Sequence, residues 1–378
     1  MAQLQKITVK GYKSIRSLVD FELRSLNILI GANGAGKSNF ISIFRFLASV
    51  TGDNFPVDLQ KAGGPDVFLH YGRRTTQTLD LEVYFLPEHS GVSMISNGYR
   101  ITLEPTQDNR FIFSREESWL NGMYGPTSYS LGSGHDLSHV TNDQIDRSKN
   151  VSRYVAQKLK IWRQYHFHDA GDTAAVKGIH QANDTLRLKP DAANLAAYLK
   201  HLKQTPLYES SYQRIVETIR LAAPFFGDFI FRDGADYVQL EWTERGQPDT
   251  PWKANVLSDG TLRFMCLATL LLQPDTLLPD TILIDEPELG LHPYAIDLLA
   301  DMLKRAAETK QVIVSTQSAE LLNAFQPEDV IVVDRKMDAV SSFSEFKRLA
   351  SEDLKDWLED YTLGELWKRN ILGGRPRV

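Results

Sequence analysis

Residues 26–40 read LNILIGANGAGKSNF. An apolar, β-forming run ending at Ile30 passes directly into a glycine-rich turn. The turn opens a segment, NFISIFRFLASV, with helical apolar spacing. The turn itself, Gly31 to Ser38, fits G-x-x-x-x-G-K-[ST], and each position has a chemical reason. Gly31, Gly34 and Gly36 let the backbone wrap a chain of phosphates with its N–H groups pointing inward. Lys37 supplies a point charge for the β and γ phosphates, and Ser38 offers a hydroxyl to Mg²⁺ at the helix start. The expected nucleotide contacts are therefore Asn33, Gly34, Ala35, Gly36, Lys37, Ser38 and Asn39, with ATP and Mg²⁺ as the ligands.

Two further stretches carry chemistry. TILIDEPELGLHP sets the apolar run Ile282, Leu283, Ile284 directly before Asp285 and Glu286. A strand then delivers two carboxylates to its carboxyl end, where open α/β sheets bind ligands. Asp285 suits holding Mg²⁺, directly or through a water, and Glu286 suits polarising an attacking water. Glu288 and His292 lie just beyond, and His292 reads either as a catalytic group or as a loop residue. The other stretch, NVLSDGTLRF from Asn255 to Phe264, places a serine, a glycine and unspent backbone N–H groups at a helix start. That is a second anion-reading corner in the same chain, with Ser258, Asp259 and Gly260 as its candidate contacts.

Composition sets the bounds. The chain has 378 residues, 42% of them hydrophobic and 24% charged, enough for a sizeable core in one large domain or two ordinary ones. No apolar run reaches the roughly 18 residues needed to span a bilayer. The N-terminus, MAQLQKITVK, lacks a signal peptide's apolar segment. The single cysteine, Cys266, excludes an internal disulfide framework and points to the cytoplasm; inside LRFMCLATLLL it reads as a small buried apolar residue. With 42 Lys and Arg against 48 Asp and Glu, the net charge is −6, so nucleic acid would have to be met by a local patch or a groove shared between subunits.

Along the chain, residues 4–10 and 18–30 read as strands, and residues 79–113 alternate like an antiparallel sheet. Residues 119–136, WLNGMYGPTSYSLGSGHD, read as a polar exposed loop, and IWRQYHFHD resumes a strand. Two helices are expected within 190–222, then strands DFIFRD and YVQLEWTE. The helix after Ser258, the strand TILID, a helix from Tyr294, the strand QVIVST, a helix from Ala319 and the strand DVIVVD follow. The last forty or so residues read as helical and then irregular. No internal repeat and no sustained heptads are present, so a long coiled-coil arm is not expected.

Together ITVKGYKSIRS, GANGAGKS, LSDGTLRF and ILIDEPELGLHP resemble the motifs of an ABC-type ATPase head. The nearest branch is the RecF and SMC group, and within it the small AAA-type ATPases of bacterial anti-phage defence loci and the OLD nucleases. The resemblance runs from the N-terminus to VIVSTQS, and the closing WLEDYTLGELWKRNILGGRP is similar to one such subgroup. It implies an α/β P-loop NTPase: a head with a mixed central sheet, an antiparallel β subdomain and a helical insert. The implied boundaries are a head over 1–340 and a helical tail over 341–378. Within the head, 1–60 and 225–340 form the nucleotide-binding core, 61–160 the β-rich subdomain and loop, and 170–225 the helical insert. In such heads the signature turn, here Ser258 to Gly260, reads the γ-phosphate held by a second head packed head-to-tail. That gives the second anion corner its use and implies a dimer or higher oligomer.

The pattern also breaks. Where many ABC heads carry a histidine after the strand, VIVSTQS has Gln317, which can donate a hydrogen bond but carries no charge. Slow hydrolysis, sufficiency of Glu286, and Gln317 as the working substitute all fit. The usual glutamine between the lobes has its best positional equivalent at His168 and Asp169. A zinc site at His166 and His168 is not expected, since no third ligand is near. Lys13 and Ser14 read either as nucleotide contacts, as the resemblance implies, or as a solvated turn.

Two uses of ATP compete: a mechanochemical ATPase acting on DNA, and an ATP-gated scaffold with little turnover that holds and releases a toxin or nuclease. The stretch after DVIVVD is too short for a Toprim-type nuclease domain, so any effector is expected to be a separate protein. Arg73, Arg74, Lys158, Lys160, Arg163, Lys200 and Lys203 are candidate DNA contacts or ordinary solvated charge. Trp367, Lys368, Arg369, Arg375 and Arg377 read as a partner-binding tail or a frayed terminus. No membrane partner is expected.

Overall fold

The computed structural model describes residues 3–374 except 87, 91–92, 123–124, 142–148, 170, 172 and 233. The chain forms two compact units, one running to Arg163 and resuming at Gln326, the other spanning Gln164–Phe325.

The first unit begins with strands β1 (Leu4–Tyr12), β2 (Ile15–Glu22) and β3 (Leu26–Ile30), then helices α1 (Lys37–Val50) and α2 (Phe55–Lys61). Strands β4 (Leu79–Phe85), β5 (Glu88–Ser90), β6 (Ser93–Pro105), β7 (Phe111–Gly122) and β8 (Gly125–Gly132) follow, and then helix α3 (Lys149–Lys160). β2-β1-β4-β6-β7-β8 form an antiparallel sheet with β5 beside β6. β4 shows why: Leu79, Leu81, Val83 and Phe85 all point into the core while their neighbours do not. β3 is buried at every residue, as a strand covered on both faces must be. The stretch 18–30, expected as one strand, is two. Asn27 breaks it by bonding back to Arg24, accepting from its N–H at 3.0 Å and donating to its carbonyl at 2.6 Å.

The expected loop over 119–136 is mostly strand. β7 and β8 form a hairpin paired from Glu116↔Gly132 to Gly122↔Gly125. β8 is largely exposed and polar, so it has no apolar alternation to read; ladder hydrogen bonds hold it there. At the base of the hairpin, Glu116 is fully buried and collects four donors. They are Tyr99 Oη at 2.5 Å, the Ser138 hydroxyl, the His139 backbone N–H at 2.9 Å and His135 Nε2 at 2.8 Å. Helix α3, unread in the sequence, buries Val155, Ala156 and Leu159 on one face.

The second unit contains β9 (Arg163–Tyr165), which begins at the boundary, β10 (His180–Gln181), α4 (Leu195–Gln204), α5 (Glu209–Ala222), β11 (Phe226–Ile230), β12 (Tyr237–Val238), β13 (Glu241–Glu244) and β14 (Gln247–Lys253). It continues through α6 (Asp259–Leu272), β15 (Thr281–Asp285), α7 (Pro293–Thr309), β16 (Gln311–Ser315) and α8 (Ala319–Leu322). β11-β13-β14 form a small antiparallel sheet, and β15 and β16 pair in parallel. α6 is buried from Leu262 to Leu272 and packs against α5 and α7. Cys266 lies inside it as an apolar filler, its thiol pushed up to about 12 by burial.

The chain then returns to the first unit with β17 (Val330–Met337), β18 (Ser342–Arg348), α9 (Ser351–Leu358) and α10 (Leu363–Lys368). β17 runs parallel to β3 and antiparallel to β18. The tail expected to be helical from residue 341 thus opens with a strand. Its pairing with β17 and the packing of Phe346 on Phe40, with ring centroids 5.4 Å apart, override the weak local pattern. Among the described residues no helix is long and apolar enough to cross a membrane.

Candidate functional site

In the first unit the glycine loop joins β3 to α1. Gly31 has φ 153° and Gly36 φ 120°. A Cβ on Gly31 would fall 2.2 Å from the Val333 carbonyl oxygen, and one on Gly36 would fall 2.1 Å from Ser344 Oγ, so both positions require glycine. No side chain caps α1 at Gly36, which leaves its N-terminal dipole facing the loop. Lys37 is only 5% exposed, and its Nζ donates to the carbonyls of Gly31 at 2.7 Å and Ala32 at 3.2 Å. Asn33, Gly34 and Ser38 are exposed, and Ala35 is buried. The loop contains no acidic side chain and presents a buried cation at a helix start, a donor set that fits a chain of phosphates, and exposed Ser38 offers a hydroxyl oxygen of the kind Mg²⁺ takes.

A polar knot supports this loop. Ser344 Oγ donates to the Ala35 carbonyl and is hydrogen-bonded with Ser14 Oγ at 2.7 Å, and its backbone N–H donates to the Ser14 carbonyl at 2.8 Å. Asn39 Nδ2 donates to Ser14 Oγ at 2.8 Å. Ser344 was invisible to sequence reasoning because no spacing links it to the loop. Beside the knot lies a cavity of about 590 Å³, lined in part by Lys13, Ser14, Asn39, Asp66, Tyr71 and Arg335. The first three were readable from the motifs; the last three come from segments without one. Lys13 has a left-handed backbone, and burial holds its ammonium below the usual lysine range.

In the second unit β15 and β16 run parallel in register, with Asp285 opposite Ser315. Ser315 Oγ donates to Asp285 Oδ1, and the Glu286 N–H donates to the Ser315 carbonyl at 2.8 Å. Glu286 has φ 45°, a strained conformation for a residue with a Cβ, of the kind that persists where surrounding bonds dictate it. Gln317 Nε2 donates to Glu286 Oε1. Glu288 Oε1 accepts from Thr316 Oγ1 at 2.6 Å and from the Gln317 N–H at 3.0 Å, while burial raises the Glu288 carboxyl above the usual range. His292 joins none of these bonds. Its Nδ1 accepts the Tyr294 N–H at 3.3 Å and caps α7.

The other anion corner belongs to the same unit. Ser258 is exposed and caps α6, its Oγ accepting the Thr261 N–H at 3.2 Å. Asp259 is exposed as well. A Cβ on Gly260 would meet the Gly290 carbonyl at 2.3 Å. Behind the corner, buried Arg263 donates to the carbonyls of Phe167 at 2.8 Å and His168 at 3.0 Å. The strand expected through Asp169 stops at Tyr165, because the carbonyls beyond it bond to Arg263. Asp169 Oδ1 accepts the Gly171 N–H at 3.2 Å. Among the described residues, His166 and His168 belong to no group of three side chains close enough to share a metal ion.

The candidate basic contacts are largely engaged. Arg73 pairs with Asp66 at 3.0 Å, Lys200 donates to the Arg232 carbonyl at 2.7 Å, and Lys203 pairs with Asp228 at 2.9 Å. Lys158 lies 5.4 Å from the Tyr154 ring centroid. In the tail, Trp367 and Lys368 end helix α10, and Arg369 stacks 4.2 Å over Tyr361. Arg375 and Arg377 lie outside the described residues.

Comparison with known proteins bears on this geometry. Residues 26–323 match the family model described as "AAA domain, putative AbiEii toxin, Type IV TA system". The chain belongs to this family. It is 22% identical over 361 residues to the OLD nuclease of Thermus scotoductus, covering 90% of this chain and 64% of that protein. It is 28% identical over 169 residues to the Structural maintenance of chromosomes protein 3 of Arabidopsis thaliana, covering 42% and 12%. The chain therefore spans less than two thirds of either relative.

Among solved structures, the Smc head bound to the C-winged helix domain of ScpA superposes with a TM-score of 0.58 at 14% identity, covering 93% of this chain and 99% of that one. A Smc head from Pyrococcus furiosus bound to the C-terminal domain of ScpA gives 0.55 at 15%, covering 95% and 99%. This member of that family thus has the expected fold, that of a P-loop ABC-type ATPase head.

Proposed function

We propose that this protein binds and hydrolyses Mg·ATP, pairs head-to-tail around it, and uses that cycle to control DNA or a separate effector in anti-phage defence or DNA repair. Asn33 to Asn39 and Lys37 Nζ take the phosphates, and Lys13 and Ser14 border the nucleoside. Ser38 and Asp285 hold Mg²⁺, which when bound neutralises charge on the phosphate oxygens. Ser258, Asp259 and Gly260 meet the γ-phosphate of a second copy. A cytoplasmic setting belongs to the same reading.

The observation that carries hydrolysis is Glu286. A buried strand delivers it, a left-handed backbone aims it, and Gln317 binds its Oε1. Oε2 then accepts the proton of the attacking water. Gln317 orients Glu286 but adds no positive charge, so turnover is slow. That neutral residue is also what supports the second reading, an ATP-gated scaffold with little turnover.

The test is Glu286→Gln purified with ATP and Mg²⁺. It should lose hydrolysis by about 100-fold or more and accumulate as a closed dimer by light scattering. Persistence as a monomer would remove the dimer from the proposal. DNA binding that needs ATP and weakens with salt favours the first reading, and nuclease-resistant co-purification of a small protein favours the scaffold.

A further inference from the structure

Two segments leave the parallel pair β15–β16 side by side, and four hydrogen bonds rung them together. The backbone rung is the Glu286 N–H to the Ser315 carbonyl at 2.8 Å. The side-chain rungs are Thr316 Oγ1 to Glu288 Oε1 at 2.6 Å, the Gln317 N–H to the same Oε1 at 3.0 Å, and Gln317 Nε2 to Glu286 Oε1. Thr316 is fully buried, and its Oγ1 also accepts the Ser318 N–H at 2.9 Å. One oxygen of Glu288 therefore fixes both the side chain of Thr316 and the backbone of Gln317. Its other oxygen, Oε2, is buried without a hydrogen-bond partner among the described residues.

We propose that Glu288 is a positioning residue for hydrolysis, holding the Thr316–Gln317 turn so that the Gln317 amide meets Glu286. The inference rests on the ATPase reading above and adds a role for a carboxylate that reading leaves unused. The geometry assigns the work to Oε1 as a double acceptor. An amide in place of the carboxylate keeps that oxygen, so proton acceptance is no part of the role. Glu286, two residues earlier, has the opposite requirement: it must accept a proton, and an amide cannot. The same Glu→Gln change should spare one site and silence the other.

The test uses the full chain, with kcat and KM for ATP hydrolysis and affinity for a fluorescent ATP analogue. Glu288→Gln should stay within about threefold of wild type. Glu288→Ala and Gln317→Ala should each lower kcat by about 10-fold or more with KM and affinity unchanged. The Glu288→Ala/Gln317→Ala double variant should be no worse than the poorer single one, since both break one chain of contacts. A Glu288→Gln as inactive as Glu286→Gln, independent losses in the double variant, or equal losses of kcat and affinity would each overturn the positioning role. Should Glu288→Ala not fold, the Glu288→Gln result decides. A wild type that hydrolyses ATP while Glu288→Ala is unaffected sinks this inference alone; a wild type without hydrolysis sinks the ATPase reading and this inference with it.

Discussion

Ser344 occupies the space that a side chain at position 36 would need: its Oγ lies 2.1 Å from where a Gly36 Cβ would stand. It also donates to the Ala35 carbonyl, so the loop is closed from behind by a residue of β18. Gly36→Ala should therefore abolish ATP binding in a fluorescent-nucleotide titration and also lower the melting temperature, since the new Cβ must displace Ser344 at a left-handed backbone position. Ser344→Ala, which removes two hydrogen bonds, should weaken nucleotide affinity and cost about 1–2 kcal/mol of stability.

Glu116 is fully buried and gathers four donors. Glu116→Ala leaves them unpaired and should cost about 3–5 kcal/mol in urea unfolding. ATP affinity should be unchanged if the variant is assayed while folded.

Burial raises the Glu288 carboxyl. A group with a raised folded pKa keeps its proton longer in the native state than in the unfolded chain. Its stabilising contribution is full below the ordinary carboxylate range and is lost as pH rises through the raised value. Glu288→Gln removes that dependence. The stability difference between the variant and wild type should thus shift in favour of the variant as pH rises from about 4 to about 7, in denaturant midpoints measured at each pH. A difference constant with pH would contradict the burial argument.

Ser258 is exposed at the start of α6. Ser258→Arg should leave the fold and the affinity of a single chain for ATP intact and abolish the ATP-dependent increase in mass seen by light scattering. Gly260→Ala is a harsher change, because its Cβ would meet the Gly290 carbonyl at 2.3 Å. It should lower the melting temperature as well.

Local chemistry made much of this protein legible. A glycine loop needs particular backbone angles, a buried strand needs an unbroken apolar run, and a helix start needs a cap. All three are written over a few adjacent residues, which is why Gly31 to Ser38, Ile282 to Glu286 and Ser258 could be read directly. Where the side chains carry no period, the local sequence holds no strand signal: β8 is an exposed polar strand made by its ladder, and β18, in a stretch whose pattern predicts helix, is held by its pairing with β17.

The sequence by itself determined that this chain has an ABC-type head fold and where its glycine loop and helix caps fall, because those properties depend on neighbours along the backbone. Tertiary structure alone decided that Ser344 closes the glycine loop, that Arg263 bonds the chain behind Ser258, and that Glu288 holds Gln317 while Gln317 bonds Glu286. These are hydrogen bonds between residues far apart in the chain. Their partners are chosen by which elements fold against each other, and no spacing within one segment records that choice.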